Sequence, residues 1–184
     1  MDVFKAILDR RSTRAFTAEA VKKADLEKIV EAGLHAPSAI NEQPWLFTVV
    51  TNKEVLSKLN DAVKTHMSAV DGERIKSRSS DNSYCFYYGA PTLIIVSCSS
   101  IALFPAEDAA CALENMFLAS QALGLGSCWI NQLGGSANDH IGIRTVLSEI
   151  GIPDTHRVYG CAAIGHIQTE TPFKERRGAV NFVE

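Results

Sequence analysis

Five consecutive residues, Arg10-Arg11-Ser12-Thr13-Arg14, bring three guanidinium groups and two hydroxyls into one short stretch. Cations at the end of a helix complement its dipole, and surface salt bridges would account for one such arginine. They account poorly for three, because like charges at close range repel. A bound dianion would relieve that repulsion: arginine forks match phosphate oxygens, and a serine adds a neutral donor. A second basic group, Lys174, Arg176 and Arg177, reads either as a solvated charge run or as another wall around the same anion. A third segment, Ala36-Pro37-Ser38-Ala39-Ile40-Asn41-Glu42-Gln43-Pro44-Trp45, is rich in donors and acceptors. Ser38, Asn41 and Gln43 suit the edge of a planar heterocycle with Trp45 packed beneath. They equally suit an Asx-type turn whose side chains serve their own backbone.

These groups need elements to hold them. Residues 3–10 carry Val3, Phe4, Ile7 and Leu8 on one helical face, with Asp2 as the expected N-cap. Leu26, Ile29, Val30 and Gly33 give a helix over about 24–35, and residues 45–50 a strand. Asn52 or Lys53 opens a further helix through Val63. The polar run 77–83 reads as a mobile surface loop or a lid over a site. Residues 91–97 form a near-continuous apolar run, the pattern of a central buried strand. Pro105 starts a long helix to about Leu123, apolar on most of its circumference and closed by Gly124. Short strands follow at 127–130 and 158–164, separated by a helix over 141–150, and residues 179–183 read as a last strand. Helices and strands mix without regular alternation, which favours an α+β sandwich with a mixed or antiparallel sheet flanked by helices.

Composition narrows the function classes. The chain has 184 residues, enough for one domain, and a net charge of −3 from 18 basic and 21 acidic residues. That balance argues against nucleic acid as a partner. No run approaches the ~20 apolar residues of a membrane span, and the first residues lack the pattern of a signal peptide. Five cysteines, none in a Cys-x-x-Cys pair, read as reduced and buried thiols of a cytoplasmic protein. Cys128, beside Trp129, reads as a packing thiol rather than a reactive one. The histidines lack the spacing of metal ligands, so no metal site is expected. The Rossmann glycine fingerprint is missing, because Gly124-Leu125-Gly126 follows a helix and not a strand. Asp108 and Glu114 fall on different sides of one helix and make no carboxylate pair.

The ordered succession Arg10-Arg11-Ser12-x-Arg14, Pro37-Ser38-x-x-Asn41-x-Gln43-Pro44-Trp45, Gly89-Ala90-Pro91, Leu123-Gly124-Leu125-Gly126 before Trp129-Ile130, and Lys174-x-Arg176 resembles the FMN-dependent nitroreductase family. The resemblance covers nearly the whole chain. It implies a three-layer α+β sandwich, a single FMN-binding domain over 1–184, and a homodimer with shared FMN sites. Its C-terminal strand, 178–184, is an arm exchanged with the partner subunit. By position, Arg10, Ser12 and Arg14 match residues that hold the phosphate and the pyrimidine edge, and Arg11 matches a variable position near the flavin. Pro37, Ser38 and Asn41 match a loop supplied by the partner. Trp129, Ile130 and Asn131 match the segment beside the ring, where a backbone amide faces N5. Lys174 and Arg176 match a second phosphate clamp. The implied reaction passes hydride from NADH or NADPH through flavin N5 to a small electron-poor acceptor such as a nitroaromatic or quinone. No side chain is needed as a general acid, and Arg10 or Arg14 is the candidate cation beside N1. The same scaffold supports dehalogenases and flavin-processing enzymes, and a flavin-binding storage or sensor protein with little turnover is the alternative of another class. The chain is short, with little room for the inserted helices that cover the flavin in larger members.

Overall fold

The computed structural model describes residues 2–184. Its centre is an antiparallel sheet of four strands: β1 (Trp45–Val50), β2 (Thr92–Ser99), β3 (Gly126–Ile130) and β4 (His156–Gly165), in the order β1-β2-β4-β3. β2 is fully buried over Thr92–Cys98, as its unbroken apolar run requires of a central strand. Alternation along β2 sends Leu93 and Ile95 to one face and Ile94, Val96 and Cys98 to the other.

Helices cover both faces. On one side α2 (Lys23–Leu34) and α5 (Pro105–Ala122) pack together over the sheet, with Ile29, Leu113, Met116 and Phe117 in the core between them. On the other side lie α3 (Lys53–Ala69) and α6 (Ile141–Glu149), which contribute Leu56, Leu59, Val63, Ile143 and Leu147. The expected three-layer α+β sandwich is therefore present. Asn52 caps α3, its side chain accepting from the amides of Glu54 and Val55.

Two irregularities aim the site. β4 shifts register between the partners of Val96 and Ser97, with Tyr159 as the extra residue. Val158 and Cys161, three apart, consequently face the same core. The second is the end of α5. Leu125 N–H donates to Ser120 O (2.9 Å) and Gly124 N–H to Gln121 O (3.1 Å), a Schellman closure that needs Gly124 at its φ of 76°. Leu125 is buried beneath it, and the chain leaves directly into β3.

The structure corrects several sequence expectations. Half of the polar run 77–83 is helical: α4 (Glu73–Ser80) packs on α3, and the hydroxyls of Ser79 and Ser80 donate back to Lys76 O. Asp2 occupies the N-cap position of α1 (Val3–Asp9), but its side chain makes no capping bond. The apolar face of α1 is not buried within the chain, for Val3, Phe4, Ile7 and Leu8 are all exposed and only Ala6 is covered. The expected strand at 179–183 is not formed either. Residues 169–184 carry no regular secondary structure, and a strand needs a neighbour to receive its hydrogen bonds. All five cysteines are free, but Cys111 is exposed and Cys85 half-buried, so burial holds only for Cys98, Cys128 and Cys161.

Candidate functional site

Beyond α1 the chain runs extended along the outer edge of β3. Thr13 N–H donates to Ser127 O (2.9 Å), Ser12 bridges Ser127 in parallel, and Phe16 bridges Ile167. Gly126 makes this approach possible. A Cβ there would lie 2.7 Å from Thr13 Oγ1 and 2.8 Å from Ile167 Cγ1. Gly126→Ala is expected to destabilise the fold by about 1–3 kcal/mol and to loosen residues 12–14 from β3. Thermal melting of the variant checks the first effect, and hydrogen exchange at the Thr13 amide checks the second.

The three arginines of this segment diverge. Arg10 points to α5, its guanidinium 5.9 Å from the Phe117 ring centroid and its Nε 3.4 Å from Glu114 Oε1. The angle does not make a hydrogen bond, so the buried Arg10 Nε has no hydrogen-bond partner. Arg14 stands over the ring of Tyr88 (5.8 Å) and donates to Ser12 O (3.2 Å). Arg11 donates to the carbonyls of Leu8 and Arg10 and lies 5.0 Å from the Phe173 ring. Burial raises the pKa of the Cys128 thiol, while the charges of Arg14 and Arg10 pull it down. Burial wins, and Cys128 is a protonated packing residue between two cations.

The start of the C-terminal tail is tied to the same place. Thr171 Oγ1 donates to Ser12 O (3.2 Å), and Phe173 lies under Arg11. Lys174 follows immediately, and Lys174 and Arg176 are exposed. The two basic groups of the sequence thus converge through Thr171 and Phe173. Neither residue is marked in the sequence by charge or spacing, and Tyr88, Glu114 and Phe117 also join the site without a sequence signal.

β3 supplies the other wall. The Trp129 ring tilts against Phe117 (centroids 6.1 Å apart) and fits over Gly160, where a Cβ would come within 3.0 Å of the indole. Trp129 remains exposed while Ile130 is buried. The backbone N–H of Asn131 donates to Gln132 Oε1 (3.0 Å).

The Pro37–Asn41 turn stands apart from these groups in the chain. It precedes β1, whereas the arginine segment flanks β3, the opposite edge of the sheet. Three strand spacings separate those edges by about 14 Å. Within the turn, Gln43 N–H donates to Ser38 Oγ (3.0 Å) and Gln43 Nε2 to Asn41 Oδ1 (2.9 Å). In these bonds Ser38 and Asn41 act as acceptors, which leaves their hydrogens for an acceptor-rich ligand. The Asx-type reading is thereby satisfied, and donor capacity remains.

Among the described residues, no three His, Cys, Asp or Glu side chains gather as a metal site, and no helix is long and apolar enough to cross a membrane.

The sequence profile of the nitroreductase family matches residues 7–166. The chain belongs to the nitroreductase family. Among solved structures, a nitroreductase with bound FMN from Bacteroides fragilis shares 40% identity, covers 100% of both chains and superposes with a TM-score of 0.94. A relative from Archaeoglobus fulgidus, provisionally named NADH dehydrogenase/NAD(P)H nitroreductase, is 28% identical over 178 residues, 95% of this chain and 90% of its own. An iodotyrosine deiodinase from Haliscomenobacter hydrossis is 30% identical over 95 residues, 47% of this chain and 43% of its own.

Proposed function

We propose that this nitroreductase-family chain is an FMN-dependent oxidoreductase, active as a homodimer, that passes electrons from NADH or NADPH to a small electron-poor acceptor. The observation that carries the reading is the buried Arg10 Nε, a cationic donor without a hydrogen bond, in a five-residue segment that holds three arginines. Glu114 supplies a charge nearby but no hydrogen bond, and a phosphate monoester would supply both charge and acceptors. The FMN-bound neighbour at 40% identity supports the identity of that ligand.

Arg10, Ser12 and Arg14 would hold the phosphate and the pyrimidine edge, with Arg11 beside them. Lys174 and Arg176 would close the phosphate end. Trp129, Ile130 and Asn131 would line the ring. For the Asn131 amide to face it, Gln132 must give up the bond it now receives. Pro37, Ser38 and Asn41 would serve the flavin bound mainly by the partner subunit, since they stand at the other edge of their own sheet. The chemistry FMN supplies when bound is hydride uptake at N5 from NADH or NADPH and delivery to an acceptor such as a nitroaromatic or quinone. Arg10 and Arg14 would place positive charge near the pyrimidine edge, where it stabilises negative charge without reorganisation.

Residues 1–184 would act as one flavin-binding domain, with 178–184 as an arm. β1 has no strand on its outer side among the described residues, and its Val49 is exposed. Beside it runs an apolar cavity of about 740 Å³ lined by Leu26, Val30 and Leu34. The partner's Val180, Phe182 and Val183, all exposed in the single chain, are the apolar residues to fill it. The exposed face of α1 would be buried in the same association.

Absorbance of the purified protein before and after anaerobic NADH or NADPH tests the reading. Flavin bands that bleach within seconds are expected, and the faster donor names the preferred nucleotide. Bands that persist would point instead to a storage or sensor protein. A colourless protein that takes up no FMN would end the flavin reading. The deiodinase likeness favours one second reading, a dehalogenating reaction at the same site. Loss of halide from a halogenated phenol, at a rate above nitro reduction, would select it.

A further inference from the structure

The carboxylate of Asp108 has no part in the site as described, yet it is 4% exposed in the first turn of α5. A buried carboxylate is unfavourable unless something in the fold needs it. The positive end of the α5 dipole offsets part of that penalty. Oδ1 accepts the backbone N–H of Ala39 at 2.9 Å, and Oδ2 is buried without a hydrogen-bond partner. Ala39 lies between Ser38 and Asn41, in the turn whose outward donors were described above.

That turn does not hold its shape by local preference. Ile40, Asn41 and Gln43 have φ of 47°, 60° and 49°, a left-handed conformation that L residues rarely adopt, and Ile40 is 85% exposed, so packing does not impose it. The bonds to Ser38 Oγ and Asn41 Oδ1 close the turn on itself but do not fix where it sits. Its ends are held by Ala36 N–H to Gly33 O and Ser99 N–H to Pro44 O, and between them two carboxylates anchor it. Asp108 ties Ala39 to the start of α5, and Glu42 Oε2 accepts Leu103 N–H (3.1 Å) from the segment leading into α5. Asp108 is the buried one of the two, and its partner is the residue next to Ser38. The same helix carries Glu114 and Phe117 against Arg10, about 9 Å further along and on a different side. α5 therefore references both the residues a subunit keeps for its own flavin and those it lends.

We infer that Asp108 is a positioning residue: through the Ala39 amide it sets where Ser38 and Asn41 meet the flavin of the partner subunit. This rests on the flavin reading above. Asp108 is buried and acts through the Ala39 amide, so its effect is on binding geometry.

The test uses the whole 184-residue chain stripped of FMN and titrated with FMN. Asp108→Ala is expected to raise the FMN Kd about tenfold, the scale of one hydrogen bond to a charged group. It should also alter the visible circular dichroism of bound flavin, with far-ultraviolet dichroism and sedimentation of the apo-dimer unchanged. Asp108→Asn keeps a carbonyl oxygen for Ala39 and should restore affinity to within about threefold. Ala39→Pro removes the same bond from the other side without changing a residue of α5, and should weaken FMN binding at least as much as Asp108→Ala. Parent-like affinity and dichroism in either Asp108→Ala or Ala39→Pro would overturn the inference, and Ala39→Pro decides alone should Asp108→Ala fail to fold. Failure of the parent itself to bind FMN would overturn the flavin reading and this inference with it. Normal binding by the parent and by both variants would overturn the inference only.

Discussion

Arg10→Ala/Arg14→Ala should purify with little or no yellow colour and bind added FMN about a hundredfold more weakly than the parent, or worse. Each charge-assisted bond to an ionised group contributes about 1.5–3 kcal/mol, so the loss of two, taken as additive, corresponds to at least that factor. The fold itself should be little affected. Among the described residues the acidic partner of Arg10 is Glu114, which is half-exposed at 3.4 Å, a pair worth about 0–1 kcal/mol. Arg14 makes one backbone bond and stacks on Tyr88. Removing both cations also relieves repulsion across Cys128. FMN titration by fluorescence quenching measures the affinity, and a melt of the apo-protein separates binding from folding. A double variant as yellow as the parent would mean that this cluster does not hold the phosphate. Glu114→Gln is the informative companion: it frees Arg10 from its competitor and should leave FMN binding equal or tighter.

If the proposed dimer forms through the tail, deletion of residues 179–184 should make it dissociate at concentrations about a thousandfold higher than the parent, or more. The arm carries Val180, Phe182 and Val183, exposed by 78%, 84% and 89% in the single chain. Burial of such side chains stabilises by about 1.5–3 kcal/mol each, and a two-fold dimer counts them twice. Ordering the arm opposes this, which is why the expected loss is far below the sum. Sedimentation at a series of concentrations reads the effect. FMN retention should fall in parallel, because in the proposed assembly the site would draw on the partner's turn and be incomplete in a monomer. A truncated chain that associates as tightly as the parent would remove the arm from the assembly and leave the face of α1 as its main surface. Phe182→Asp tests the same point without shortening the chain.

Much of this molecule is legible in its residues. The unbroken apolar run of β2 suits a central strand, and the near-circumferential apolarity of α5 suits a helix packed on several sides. Pro105 and Gly124 mark that helix's ends for separate physical reasons, a fixed φ at one and a positive φ at the other. The arginine segment, the Pro37–Asn41 turn and the Lys174–Arg176 pair are visible as unusual concentrations of donors. What fails to show is whatever depends on a neighbour. α4 has almost no apolar periodicity, and its helix rests on contact with α3 and on serine bonds to Lys76. The α1 face looks like a core-facing stripe in the sequence yet stays uncovered in the chain, since periodicity reports amphipathicity and not what covers it.

The sequence by itself determined which chemistry is available: three guanidinium groups and a serine beside one another, a donor-rich turn, and a sandwich able to hold them. Residue type and local spacing suffice for that, because charge and hydrogen-bonding capacity belong to the side chain. Only the tertiary structure decided which groups work together. It brought the tail to the arginines through Thr171 and Phe173, left Arg10 Nε without a hydrogen bond beneath Phe117, and assigned Asp108 and Glu114 to different partners on one helix. It also placed the Ser38 turn and the arginine segment at opposite edges of the sheet. Strand order and helix crossing fix such distances, and neither is written in any local stretch of residues.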